Sequence, residues 1–182
     1  MRPPTLPILA LATLAACGTT EFFVPPTLVS TLRVDARATT VVVNDVSMPE
    51  YAINQEIPVQ EPGGGLIADT DRLWADLPDR ALQVALARHL NVITDAEVSI
   101  EPWPLSGFPD AEVTITVEDM IVRADGAVSF TGIYAIRDEV RRTGQIEVFA
   151  IAAPVPGSGY ASIVAAHESA WLELAERIAR QL

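Results

Sequence analysis

Two alternating runs, Glu112 to Arg123 and Val128 to Arg137, meet around Asp125-Gly126, and they narrow the fold more than any other stretch. A period of two puts every second side chain on one face of a strand. Asp-Gly is favoured in a two-residue type I′ turn. Together these predict one antiparallel hairpin pairing Ile121 with Phe130, Val117 with Tyr134 and Ile115 with Ile136. Those six apolar residues share one face, while Thr114, Thr116, Glu118, Ser129, Thr131 and Arg137 face the other way. The same register sets Asp119 opposite Gly132 on the apolar face, a misfit to be resolved as a bulge or a sheet edge. A lone hairpin cannot bury such a face, so further strands or helices must cover it.

The rest of the chain supplies both. Gln145 to Ile151 predicts a third strand, Thr39 to Val46 a β-branched buried strand, and Ala96 to Ile100 a short one. Ile57 to Gln60 and Leu66 to Ala68 flank Pro62-Gly63-Gly64-Gly65, which predicts a second hairpin. Asp69-Thr70-Asp71 reads as a helix cap, with Trp74 in the turn leading to a helix from about Leu77. Ala81, Leu82, Ala85, Leu86, His89, Leu90 and Ile93 form its apolar stripe; Asp79, Arg80, Gln83, Arg88 and Asn91 take the other face. After the loop 154–159, a stripe of the same kind runs from Tyr160 through Ile163, Val164, His167, Trp171, Leu174 and Ile178 to Leu182. Glu168, Glu173, Glu176, Arg177 and Arg180 occupy its polar side. The expected fold is α+β: an antiparallel or mixed sheet with two main amphipathic helices packed on one face.

The amino-terminal stretch is different in kind. Met1-Arg2 gives a positive start, and an apolar run of about 11 residues leads to Leu14-Ala15-Ala16-Cys17. That run is too short for the ~20 residues of a membrane-crossing helix, and the pattern is that of a secretory signal peptide. Leu-Ala-Ala-Cys resembles the lipobox of bacterial lipoproteins, whose cysteine carries the acyl chains, palmitate among them, so Cys17 is the expected lipidation site and first mature residue. Gly18 in the following position favours the outer membrane, facing the periplasm. Residues 1–16 are then the signal peptide, 17–32 the lipidated cysteine with a tether or edge segment, and 33–182 one periplasmic domain. A tether of about 14 free residues would reach at most ~45–50 Å. Phe22-Phe23 within it reads as a short strand or as a pair near the lipid surface.

Composition excludes several functions. The chain of 182 residues has 12 cationic residues, none of them lysine, against 24 acidic ones. So acidic a chain does not bind nucleic acid through bulk charge. Its single cysteine allows no internal disulfide and no cysteine-based metal site. His89 and His167 sit in apolar stripes as core histidines, and no second histidine follows His167-Glu168 in zinc-protease register. No catalytic constellation, metal site or cofactor motif is legible, so the chain is expected to act as a non-enzyme, through surfaces. Two stretches offer such a surface. The first is Pro102-Trp103-Pro104-Leu105-Ser106-Gly107-Phe108-Pro109, whose Trp103 and Phe108 either close one end of the core or are displayed for a partner. The second is the basic turn with Arg137, Arg141 and Arg142, a solvated turn or a contact for an acidic partner.

Three stretches carry a resemblance. They are Trp74-Ala75-Asp76-Leu77 ahead of the helix with Leu82, Leu86 and Leu90; Val43 through Pro49-Glu50-Tyr51; and Tyr160-Ala161 through Val164 and Ala166 to Leu174-Ala175 and Ile178-Ala179. With the lipobox, these are similar to the ABC-type transport auxiliary lipoprotein family, the paraquat-inducible protein C-like lipoproteins. The chain departs from that pattern in carrying Phe22-Phe23 where tyrosines are common and Tyr134 where a tryptophan is common. The resemblance implies a non-enzymatic, lipid-anchored component on the periplasmic side of the outer membrane. It implies as partners an MCE-domain protein and an inner-membrane ABC transporter or permease, with lipids or other apolar molecules as cargo, and it leaves homo-oligomerisation open. The alternative is a structural envelope lipoprotein that supports outer-membrane integrity or complex assembly without handling cargo.

Overall fold

The computed structural model describes residues 19–182; the signal-peptide and Cys17 expectations fall outside the described residues. The sheet is organised around β6 (Ala111–Val122). Along one edge β6 pairs antiparallel with β7 (Ala127–Asp138), which pairs in turn with β8 (Thr143–Pro154). Its other edge is shared: β2 (Thr40–Val43) lies parallel to its first residues, and β3 (Glu56–Gln60) meets its last at Val59–Val122. β2 carries β5 (Glu97–Ile100) outward, while β3 carries β4 (Leu66–Trp74) and then β1 (Glu21–Phe23). The result is an open, mixed, eight-stranded sheet. With α2 (Pro78–Ile93) and α3 (Tyr160–Ala179) on one face, and the one-turn α1 (Glu50–Ile53) after β2, the class is the expected α+β.

The central hairpin forms, but one residue out of the expected register beside the turn and two residues out beyond a bulge. Arg123 pairs with Ala127 across a three-residue turn that ends on Gly126 at φ 84°. Asp-Gly serves this turn as well as the two-residue one, because only the final position needs positive φ. Phe130 therefore faces Met120, and Ile121 faces Ser129. A bulge between Val117 and Asp119 then takes up one residue, so Ile115 faces Tyr134 and Val113 faces Ile136. The bulge also removes Asp119 from the apolar face, where it would have stood uncompensated. Its carboxylate instead accepts bonds from the Tyr51 hydroxyl (2.8 Å), Ser129 (2.9 Å) and Arg123 (2.5 Å). Burial, then the bond to Asp119, pushes the Tyr51 phenol up to about 12. Gly132 has no room for a side chain: a Cβ there would lie 2.2 Å from the Thr116 carbonyl oxygen and 2.9 Å from the Phe149 ring. Phe149 crosses above it to pack on Phe130, with ring centres 4.8 Å apart.

The expected cap at Asp69-Thr70-Asp71 is overturned, since all three residues lie within β4. The helix begins at Pro78, which at the first helical position lacks only an N–H that would have gone unused. Gln83 and Glu168, assigned by charge and polarity to wet faces, are buried at the seam between helices and sheet. The amino-terminal segment is also less free than a tether of about 14 residues. Pairing starts at Glu21, Phe23 stacks on Tyr160, and the chain then crosses α3 as a strap. Along the strap, Leu28 N–H donates weakly to Glu168 (3.5 Å), Ser30 Oγ to Glu176 (2.5 Å) and Arg37 N–H to the Leu182 carbonyl (2.7 Å).

Candidate functional site

The connectivity of β6, β7 and β8 decides which loops meet. Ala111 pairs with Asp138, and Asp138 pairs with Thr143, so the start of β6 and the β7–β8 turn share one end of the sheet. That end carries the loop 101–110 and the turn 139–142, and it therefore gathers Trp103, Phe108, Arg141 and Arg142. The two stretches are tied together directly: Glu139 N–H donates to the Asp110 carbonyl at 2.8 Å.

Asp110 fixes the loop to the sheet. Its carboxylate accepts from the Thr39 hydroxyl and from the backbone N–H groups of Thr39 (3.0 Å) and Thr40 (3.2 Å), and its own N–H donates to Thr40 Oγ1 (2.9 Å). These bonds, the Thr39 hydroxyl first, hold the carboxyl below the usual carboxylate range. On this footing the two aromatics part company. Trp103 is half-buried with its indole N–H enclosed, whereas Phe108 is 92% exposed. Between them and the β2 exit lies a cleft of about 460 Å³, with Val42, Asn44 and Asp45 on its far wall. An apolar ring held out on a loop whose stem is pinned by four hydrogen bonds is preorganised, not frayed.

The neighbouring turn is less uniformly basic than its sequence. Arg137 bonds Glu112 (2.6 Å) and pairs with Glu139, and Arg141 pairs with Asp138 (2.9 Å). Arg142, at φ 55°, has no ion pair among the described residues. Beside it Val140 is exposed, so this end of the sheet carries Phe108 on one loop and Val140 with one cation on the neighbouring turn.

A second polar cluster lies in the seam between α2 and α3. Glu168 is fully buried, and its Oε1 accepts from Arg88 (2.6 Å) and His89 (3.0 Å), while Oε2 has no partner among the described residues. One turn away, Trp74 and Trp171 stack at 5.7 Å, and His167 meets Trp74 edge-on at 5.0 Å. Sequence spacing held a signal for Glu168, four residues after Val164 and three before Trp171, inside the buried arc; its charge argued the other way. No group of three His, Cys, Asp or Glu able to hold a metal occurs among the described residues. Both histidines are enclosed: His89 by the carboxylate, His167 by the indoles, with its Nδ1–H donating to the Ile163 carbonyl (2.9 Å).

Burial lowers the His167 pKa from 6.5 to about 4. An unfolded chain takes up that proton near pH 6.5 and the folded one only near 4, so stability is expected to fall as pH drops through this window. Melting temperatures from pH 7 to 4 should decline more steeply for the wild type than for His167→Gln, which removes the proton site.

Comparison with known proteins agrees with this architecture. No curated protein matches by sequence. A crystal structure of an uncharacterised protein superposes with a TM-score of 0.73 at 20% identity, covering 89% of this chain and 98% of that one. A protein from Xanthomonas campestris gives 0.70 at 16% identity, covering 89% and 94%. PelC from Paraburkholderia phytofirmans, crystallised as a dodecamer, gives 0.50 at 13%, covering 84% and 95%. These likenesses establish a shared fold. The family model described as "ABC-type transport auxiliary lipoprotein component" matches residues 25–179, and the chain belongs to that family.

Proposed function

We propose that this protein is a lipid-anchored, periplasm-facing, non-enzymatic component of an MCE-type ABC transport system that moves lipids or other apolar molecules across the envelope. In this reading it sits on the outer membrane through acyl chains on Cys17 and meets the MCE-domain protein or permease assembly through the end of the sheet that carries Phe108. The observation that supports the docking role is Phe108 itself, 92% exposed on a loop pinned by Asp110. Exposed large apolar groups on rigid loops are what partner surfaces are made of. Trp103 forms the cleft wall beside it, and Arg141 and Arg142 supply the polar rim. Self-association has its own support. β8 is an edge strand with Ile146 (73% exposed) and Val148 (74%) on the face away from the helices, and PelC, which shares the fold, is a dodecamer. A long unprotected edge is suited to pairing with another chain.

Two experiments test this. Cys17→Ser should leave the domain folded but move it from the membrane to the soluble fraction, because two or more acyl chains supply stable anchoring. If the variant still sediments with membranes, the lipid anchor is wrong. Replacing Trp103 and Phe108 together with Ser should reduce co-purification of the transport partner while circular dichroism stays at wild type. Retention of the partner by a folded double variant would remove this loop from the interface, whereas a wild type that brings down no transport component would leave the structural-lipoprotein alternative.

A further inference from the structure

The approach to β1 and the loop that carries Phe108 lie toward opposite ends of the sheet, as the courses of β1, β3 and β6 show. β1 runs parallel to β4 with Glu21 beside Arg72, so residues before Glu21 are directed along β4 toward Leu66 and the tip of the β3–β4 hairpin. Thr20 continues in that direction, its hydroxyl reaching Asp71 at 3.5 Å. Only Gly18, Thr19 and Thr20 separate Cys17 from Glu21, which confines an acylated Cys17 to within ~14 Å of β1. The hairpin tip is also the far end from Phe108: β3 meets β6 at its last residue, Val122, whereas loop 101–110 precedes its first, and the 12 residues of β6 extend ~40 Å.

The tip itself is unusual. Every residue from Glu61 to Thr70 is exposed, including Leu66 (42%) and Ile67 (53%). No described element covers these apolar groups, yet an anchored Cys17 would bring a lipid surface to them. The surrounding charge is acidic: Glu21, Glu61, Asp69 and Asp71, against Arg72 alone, which pairs with Glu21 at 3.8 Å. Such a rim is repelled by anionic headgroups and tolerates zwitterionic ones.

We infer that the β3–β4 hairpin tip, with Leu66 and Ile67, is a second membrane contact beside the lipid anchor, resting on a zwitterionic lipid surface so that the sheet stands upright and carries Phe108 ~40 Å into the periplasm. This rests on the lipidation of Cys17 proposed above. Two short attachments fix an orientation that one flexible tether would leave free.

With Cys17 acylated, a newly introduced cysteine is the only free thiol, so Leu66→Cys and Ser106→Cys can each be labelled with an environment-sensitive fluorophore. The intact lipoproteins are reconstituted into phosphatidylcholine vesicles with brominated acyl chains, and the mass of the Cys17 peptide is read on the same samples. The expected result is several-fold quenching at position 66, none at position 106, and weaker quenching when part of the lipid is phosphatidylglycerol. An acylated protein whose position 66 is unquenched, or whose two positions are quenched alike, overturns the upright footing alone. Stronger quenching with phosphatidylglycerol overturns the preference for zwitterionic lipid. An unacylated Cys17 overturns the anchor reading, and the footing with it.

Discussion

Trp171→Ala is expected to lower the free energy of unfolding by about 3–5 kcal/mol, the usual cost of deleting a buried tryptophan. The side chain has no exposed surface, stacks on Trp74 and lies beside His167, so its removal opens a cavity in the aromatic cluster that joins α3 to β4. For a domain whose total stability is on the order of 5–15 kcal/mol, that loss leaves a large unfolded fraction at growth temperature. Urea denaturation should show a much lower midpoint with an unchanged slope. A midpoint close to wild type would mean that the cluster does not hold the helices to the sheet.

Glu168→Ala is expected to cost about 3 kcal/mol, the low end for breaking a buried ion pair by removing one partner. His89 would be left enclosed without an acceptor, while Arg88, whose side chain is 38% exposed, can turn to water. The loss should be accompanied by a local effect, because the same carboxylate accepts the Leu28 N–H and so helps hold the strap against α3. Limited proteolysis should therefore cut the variant within residues 24–32 faster than the wild type. Unchanged melting would show that the unpartnered Oε2 already offsets what the pair contributes.

The helices were the most legible part of the chain. Spacings of three and four residues marked the buried stripes of α2 and α3, because burial against a sheet selects apolar groups on one face. Asp125-Gly126 located the hairpin but not its register, since two turn types accept that pair and only the packing of Phe149 over Gly132 and the escape of Asp119 select between them. Asp69-Thr70-Asp71 misled because the polar residues of a strand's exposed stretch resemble those of a helix cap. Glu168 misled because its charge outweighed its position in the stripe. The candidate surface was legible one residue at a time: a proline-bounded loop with two aromatics, and a basic turn. The order of β6, β7 and β8 brings the two stretches to one end, but the cleft was not legible, because its wall of Val42, Asn44 and Asp45 depends on β2 lying parallel to β6, a pairing across about 70 residues that leaves no local signature.

The transport role is tested most directly by isolating the protein with its neighbours from solubilised membranes and identifying them by mass spectrometry. The account predicts that an MCE-domain protein and the subunits of an ABC transporter or permease co-purify with the wild type, and that both are depleted when Trp103 and Phe108 are replaced by Ser. Recovery of outer-membrane assembly or structural proteins alone, with no transport component in either sample, would contradict it.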